Sequence, residues 1–455
     1  MNTLSLIRKY NIPGPRYTSY PTVPMWNKEG IDKVDWLNSV QRSFDESNHS
    51  EGISLYIHLP FCENLCTFCG CHKRITKKHS FESPYIKAVL NEWRLYLSYF
   101  KEVPKIKEIH LGGGTPTFFS PDNLKFLING ILDKVSVTEE YEFGFEGHPN
   151  NTTKEHLKVL YDLGFRRCSF GVQDYDPVVQ KVINRIQPFE NVKLATDLAR
   201  EIGFTSISHD LVFGLPKQTM QKVESTIQKT CELLPDRIAY YSYAHVPWIK
   251  GLGQRGFDES DLPKDEEKRQ LYDRGKKLLS DIGYHEIGMD HFALSHDQLY
   301  RSMKSKTLHR NFMGYTSGKT QLMLGLGMSS ISDSWYAFAQ NNKSLEEYKY
   351  LISRNEIPVF RGHLLTGEDL IIRKHILNIM CHFQTSWKEQ SMQFPEMSDV
   401  LGRLKEMESD GLVIISNDVL KVPDHARPYI RNICMAFDLR LLRTDTKKRI
   451  FSMTI

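Results

Sequence analysis

Residues 55–71 read LYIHLPFCENLCTFCGC, a β-branched and aromatic run that passes through a proline into four cysteines, Cys62, Cys66, Cys69 and Cys71. The other four of the chain's eight cysteines, Cys168, Cys231, Cys381 and Cys434, stand singly in apolar surroundings and read as inert small hydrophobes. A tight cluster calls for a different explanation, because in a reducing compartment such spacing points to metal binding or catalysis rather than to a disulfide framework. Cys62-x3-Cys66-x2-Cys69 sets three thiolates in one loop directly after a strand. Three sulfurs can hold three corners of an iron–sulfur cluster and leave the fourth iron open, and soft thiolates also suit zinc. A zinc site would need Cys71 or His72 as a fourth ligand, and Cys71 is too close in sequence to Cys69 for both to reach one tetrahedral ion easily.

Working outward, a β-rich run, a turn and an amphipathic helical stretch recur from residue 53 to about 247, the signature of βα units and a parallel sheet. Strands are expected at Ile53–Phe61, Ile106–Leu111, Tyr141–Glu146, Arg167–Gln173, Ser206–Phe213 and Arg237–Tyr243. Six such strands make a partial barrel or an open doubly wound sheet. The helices between them start at Ser120-Pro121 and end on the glycines of KEHLKVLYDLG and ENVKLATDLAREIG. Polar and glycine residues gather just past the strands, as GGGTPT, EGHPNN, GVQDYD, DLVFGLP and YAHVP. Parallel βα folds build their sites at that end. Turn chemistry explains the Gly and Pro but not the Glu, Gln, Asp and Cys.

Beyond about residue 350 the pattern becomes helix, helix, short hairpin (LVII, SND, VLKV), helix, which resembles a winged-helix arrangement. Three pieces are expected: an N-terminal arm and helix (1–50), a catalytic barrel (51–350) and a mainly helical C-terminal domain (351–455). The final helix, PYIRNICMAFDLRLLR, lacks a dense basic face. With 59 Lys+Arg against 55 Asp+Glu, a net charge of +4 on 455 residues is too balanced for a nucleic-acid or membrane-surface protein. No apolar run approaches bilayer length, and MNTLSLIRKYNIPGPRYTSYP shows no secretory h-region, so a cytoplasmic location is expected.

CxxxCxxC with an aromatic, Phe68, before the third cysteine, placed after the first strand of a βα series, resembles the radical S-adenosylmethionine (SAM) family. Within it the resemblance narrows to the oxygen-independent coproporphyrinogen oxidases. The matching stretches run from GPRYTSYPT (Gly14 to Thr22) through GGGTPT (Gly112 to Thr117), GVQDYDPVVQKVINR, IGMDHFA, LHRNFMGYT and GLGMSSIS to IRNICMAFD. The fold implied is a partial (β/α)6 barrel. The cofactors implied are a 4Fe-4S cluster on Cys62, Cys66 and Cys69 and two molecules of SAM. The first SAM would touch Tyr56, Gly113, Glu146 and Ile331, and the second Phe68, Gly114, Thr115, Gln173, Arg185, Asp210 and Ala244. Asp210 can accept from ribose hydroxyls and Arg185 can pair a carboxylate. The family commonly has EVDP where this chain has EGHPN, so His148 alters the surroundings of a retained Glu146.

The activity implied converts the propionates of rings A and B of coproporphyrinogen III to vinyls, giving protoporphyrinogen IX in haem biosynthesis. His58, Cys71 and Arg16 are the catalytic candidates: His58 near cluster or substrate, Cys71 as a non-ligand thiol in proton or hydrogen transfer, and Arg16 on an arm that closes over the barrel mouth. His309, Arg310 and the basic run HKRITKKH are further cations for a tetracarboxylate, although a solvated loop explains the run equally. A flavodoxin-type reductase is the expected electron donor and a monomer the expected state. Two rival functions remain. A related radical SAM group carries haem, but it generally lacks the fourth cysteine, the PRYTSYP arm and the Arg185 stretch, all present here. A zinc-stabilised nucleic-acid protein is disfavoured by charge and by the strand-end residues.

Overall fold

The computed structural model describes every residue except 1–2, 248–253, 255 and 445–449, and no candidate site residue is among these. Six strands, β1 (Ile53–Leu59), β2 (Lys105–Gly113), β3 (Ser136–Gly147), β4 (Arg167–Gln173), β5 (Ser206–Phe213) and β6 (Arg237–Ser242), alternate with helices. They lie parallel and side by side in chain order. This is the expected α/β partial barrel.

The two-residue period of a strand sorts the side chains. On β2 and β3, Ile109, Leu111, Phe143 and Phe145 point out into the largest apolar core, under the surrounding helices. Glu108, His110, Glu142 and Glu146 point inward and line a polar cavity inside the barrel. The charges there are paired: Arg167 Nε meets Glu142 at 2.8 Å and Arg237 Nε meets Asp297 at 2.7 Å. Burial alone would raise Glu142, yet Arg167 and Arg237 draw it down to about 2.

The helices begin and end where local chemistry dictates. Ser120 accepts from Asn123 N to cap Pro121–Leu132, whose Leu124, Leu127, Ile128 and Ile131 face the sheet. Each such burial contributes roughly 1.5–3 kcal/mol. Gly203, at φ 114°, ends Phe189–Ile202 in a left-handed conformation that a side chain would resist.

The sheet extends further than the expected six strands. Leu322–Leu326 adds in parallel to β1, followed by antiparallel Ile331–Asp333, Ala337–Asn341 and Val359–Leu364. On the far side His291–Ala293 adds antiparallel to β6, and His285–Gly288 adds antiparallel to that strand at the sheet's edge. Glycine- and serine-rich segments such as GLGMSSIS carry too few alternating residues to read as strands. Residue 350, the expected domain boundary, falls inside helix Leu345–Ser353, and the edge strand of the main sheet lies beyond it.

The C-terminal part has helices Gly367–His382 and Met397–Ser409 and a hairpin, Ile414–Ser416 with Val419–Lys421, joined by a third strand, Gln384–Ser386. The single final helix expected over 428–443 is broken. Ile430–Phe437 and Leu439–Arg443 are separate because Asp438 leaves the helical region, at ψ 82°, and caps the second piece through Leu441 N.

The arm is split between cores. Trp36, Val40 and Phe44 of helix Lys33–Ser47 pack into the barrel core, whereas Leu6, Tyr10, Tyr17 and Tyr20 pack into the C-terminal core. Propensity gave no reason to expect a packed structure in GPRYTSYPT. Tertiary contacts supply it: Arg431 donates to Gly14 O and Pro15 O, and Tyr17 OH lies 3.1 Å from Asp438 Oδ2.

Candidate active site

β1 ends at Leu59, and the chain passes through Phe61–Cys62, paired with Arg74–Ile75, so that the cysteine loop is closed at its base by one short parallel ladder. Arg74 N donates to Pro60 O at 2.8 Å and Thr76 N to Cys62 O at 2.9 Å. Within this loop Cys62, Cys66 and Cys69 line one cavity of about 330 Å³, together with Phe68 and Cys71. Across it lie Gly113, Gly114 and Thr115 at the end of β2 and Glu146 at the end of β3. Gln173, Arg185 and Asp210 complete the wall. β2 to β5 thus deliver residues to the same space as the cysteine loop and the Arg185 segment, which is why residues from six separate segments meet.

The glycines are there for close approach. Gly113 has φ 112°, and a Cβ on it would stand 2.6 Å from the His58 ring. A Cβ on Gly114 would meet the Pro60 carbonyl carbon at 2.6 Å. Backbone at the end of β2 therefore forms the cavity wall itself.

Charge in the cavity is arranged in opposition. Burial pushes the Glu146 carboxyl up, but a hydrogen bond from His110, 3.2 Å away, and the Gly113 N–H hold it below the ordinary carboxylate range. Asp210, bonded by Ser169 Oγ at 3.0 Å, is raised to about 7 by burial and by the negative charge of Glu146. Arg185 donates to Gly171 O and reaches Cys66 Sγ at 3.7 Å, while its buried Nε has no partner among the described residues. His148 is a neutral acceptor for Asn150 N, lowered to about 3 by burial and by Arg185. Cys71 donates to Cys69, which lowers the Cys69 thiol and raises its own.

Five sequence-derived candidates lie outside the cavity wall. His58 is beneath it, buried, with Nε2 2.8 Å from His72 O and Nδ1 3.1 Å from Tyr56 OH; burial lowers its pKa and keeps it neutral. Tyr56 stacks on His110 at 6.1 Å. Ile331 occupies the antiparallel extension, paired with Gln340. Ala244 follows β6, its carbonyl accepting from Gln254 Nε2 at 3.0 Å. Arg16 lies in a separate cleft beside the C-terminal part, ion-paired with Asp290. Nor are the LHRNF cations free: Arg310 donates to Arg16 O and Tyr17 O, and burial and nearby Arg373 lower His309 to about 3.

The sequence reading missed His110, which stands two residues before the glycine run. Its signal was the alternation in IKEIHL, which turns it to the same face as Glu108. It also missed Asn151, which lines the cavity and donates to Glu63 at 2.9 Å.

The donor set fits the cofactors of a radical SAM enzyme: three loop thiols, a glycine backbone wall, an ionised carboxylate and a buried guanidinium with an unspent N–H around a ligand-sized space. Residues 56–230 match the model of the radical SAM superfamily. The oxygen-independent coproporphyrinogen III oxidase of Synechocystis sp. is 37% identical, with 99% of this chain and 97% of that protein covered. The enzyme of the same name from Escherichia coli is 36% identical over 99% and 98%. The solved coproporphyrinogen III oxidase of Escherichia coli, described as a radical SAM enzyme, superposes with a TM-score of 0.87 at 34% identity, covering 96% of this chain and 98% of that one. The chain therefore belongs to the radical SAM superfamily and, within it, to the family of oxygen-independent coproporphyrinogen III oxidases.

Proposed function

We infer that this chain oxidises coproporphyrinogen III without oxygen, converting two propionates to vinyls to give protoporphyrinogen IX. One observation carries the reading: the three loop thiols, residues of four neighbouring parallel strands and Arg185 share one cavity in a chain that matches the family along its whole length. Cys62, Cys66 and Cys69 would hold a 4Fe-4S cluster, and SAM would lie against Gly113, Glu146, Tyr56 and Ile331. When bound, cluster and SAM together supply a 5′-deoxyadenosyl radical able to abstract hydrogen from a propionate β-carbon.

The residues of the chain do the rest. Glu146, kept ionised by His110 and the Gly113 N–H, offers a fixed negative charge to an ammonium group. Gly113 and Gly114 let a ligand reach backbone that a side chain would cover. Phe68, Gly114, Thr115, Gln173, Arg185, Asp210 and Ala244 form the reading's second SAM site, where the Arg185 Nε proton is available to a carboxylate. Cys71, a non-ligand thiol in the same wall, is suited to proton transfer, and neutral His58 supports Gly113 and Tyr56 from behind. Holding the substrate carbon in place and excluding water is the larger share of what protein contributes to such chemistry. A flavodoxin-type reductase would donate the electron, with the chain acting as a cytoplasmic monomer; among the described residues no helix is long and apolar enough to cross a membrane. Haem carriage is the weaker reading, since the arm, Cys71 and Arg185 are all present.

The test is anaerobic reconstitution with iron and sulfide, then turnover with coproporphyrinogen III, SAM and a reductant. Protoporphyrinogen formation is the expected result. A reconstituted cluster that cleaves SAM but never consumes coproporphyrinogen III would overturn the reading.

A further inference from the structure

One level of the sheet crosses the whole molecule. His110 is in register with Tyr56, and Tyr56 with Gly325. The antiparallel pairing of Met323 with Asp333 places Gly325 opposite Ile331; Ile331 pairs with Gln340, and Gln340 with Arg361. Residues paired in register share a face, so Arg361 stands on the same face as Tyr56, His110 and Ile331. It is two strands from Ile331, about 10 Å at the usual interstrand spacing.

Arg361 is positioned and yet unspent. Its Nε donates to Gln340 Oε1 at 2.8 Å, and its guanidinium lies over the Trp26 ring at 5.6 Å. Gln340 is itself fixed, donating to Ser329 O at 2.9 Å, and Ser329 N donates to Asn342 O at 2.8 Å. That ties down the residue just before Lys343. No carboxylate pairs with Arg361 or Lys343 among the described residues, and the Lys343 amine has no hydrogen-bond partner there. Both side chains are half-buried, and burial, followed by the charge of Arg361, lowers Lys343. Partly desolvated cations without a counter-ion are costly, and an anion bound between them relieves that cost.

We propose that Arg361 and Lys343 form a carboxylate subsite on the sheet's edge strand side, level with Tyr56 and Ile331, that grips a propionate of a ring not undergoing reaction. The inference rests on the coproporphyrinogen reading of the neighbouring cavity and adds the substrate's anchor to it. A tetrapyrrole bearing a propionate on each ring spreads its carboxylates over distances of the kind that separate Arg361 from Ile331. Trp26, just past the GPRYTSYPT arm, gives the N-terminal segment a part in the site by holding the guanidinium in place.

The test uses the reconstituted full chain with dithionite as reductant, comparing Arg361→Gln, Lys343→Gln and Arg361→Lys with the parent. Iron content and SAM affinity are read first, as checks that each variant is folded. The KM for coproporphyrinogen III should rise roughly tenfold in each Gln variant, the equivalent of about 1.4 kcal/mol. Arg361→Lys should recover part of it. Coproporphyrin III should bind the parent more tightly than its tetramethyl ester does, and the Gln variants should narrow that gap. An unchanged KM in both Gln variants would sink the proposal. So would a defect that appears only with flavodoxin as donor, which would mark the cations as a protein-docking patch. A parent chain that never converts coproporphyrinogen III would instead count against the underlying reading.

Discussion

His110 holds Glu146 from behind, with Nε2 3.2 Å from Oε1, and a second contact fixes which way the proton points. Arg167 Nη2 lies 3.3 Å from His110 Nδ1. A guanidinium can only donate, so Nδ1 is the acceptor and the ring proton sits on Nε2, aimed at the carboxylate. The charge that would meet the SAM ammonium is thus set two residues deep, by Arg167 on β4 acting through His110 on β2.

His110→Phe should therefore make SAM binding sensitive to acid. In the parent, Glu146 is held below the ordinary carboxylate range and stays charged from pH 6 to 8.5. Without His110, burial pushes its pKa upward, so charge is lost as pH falls and affinity is lost with it. Equilibrium dialysis should show parity near pH 8.5 and a deficit of roughly tenfold near pH 6, about the worth of one charged hydrogen bond. A constant ratio across the range would mean that His110 acts by packing alone.

Cys62→Ala, Cys66→Ala and Cys69→Ala should each abolish the brown chromophore after reconstitution, while Cys71→Ala should keep it. Cys71 lines the same cavity but stands outside the CxxxCxxC spacing of the three expected ligands, two residues beyond Cys69. Iron assays on the four variants decide the matter, and equal loss from Cys71→Ala would make it a ligand.

Counting SAM per cluster should give about two in the parent and about one in Arg185→Ala. The basis is the buried Arg185 Nε, which has no partner among the described residues beside Gln173 and Asp210. A lost charge pair of this kind costs several kcal/mol when the other partner remains buried. A count of one in the parent would refute the second site.

The arm is a structural tie before it is anything else. Tyr17 is 2% exposed within the C-terminal core, so Tyr17→Ala should cost about 3–5 kcal/mol, whereas Tyr17→Phe should cost about 1 kcal/mol for its bond to Asp438. Thermal unfolding measures both, and an unchanged midpoint in Tyr17→Ala would contradict the packing. Deleting residues 1–22 to test whether the arm closes over the barrel would remove part of the C-terminal core as well. Point variants isolate the arm's role more cleanly.

What the sequence determined by itself was whatever neighbouring residues encode. The thiol spacing of Cys62, Cys66 and Cys69, the two-residue alternation of the six parallel strands, and the glycines closing their helices are local. A few covalent bonds are enough to express them. Tertiary structure alone decided what depends on register between distant strands. It placed His110 between Arg167 and Glu146 and carried Arg361 into the row of Tyr56 and Ile331. It also turned Arg16 away from the cluster cavity and toward Asp290. Polar residues on short edge strands and in a proline-rich arm have no periodicity of their own. Their partners lie up to about 420 residues away, as Tyr17 and Asp438 do, and only burial against those partners gives them a conformation.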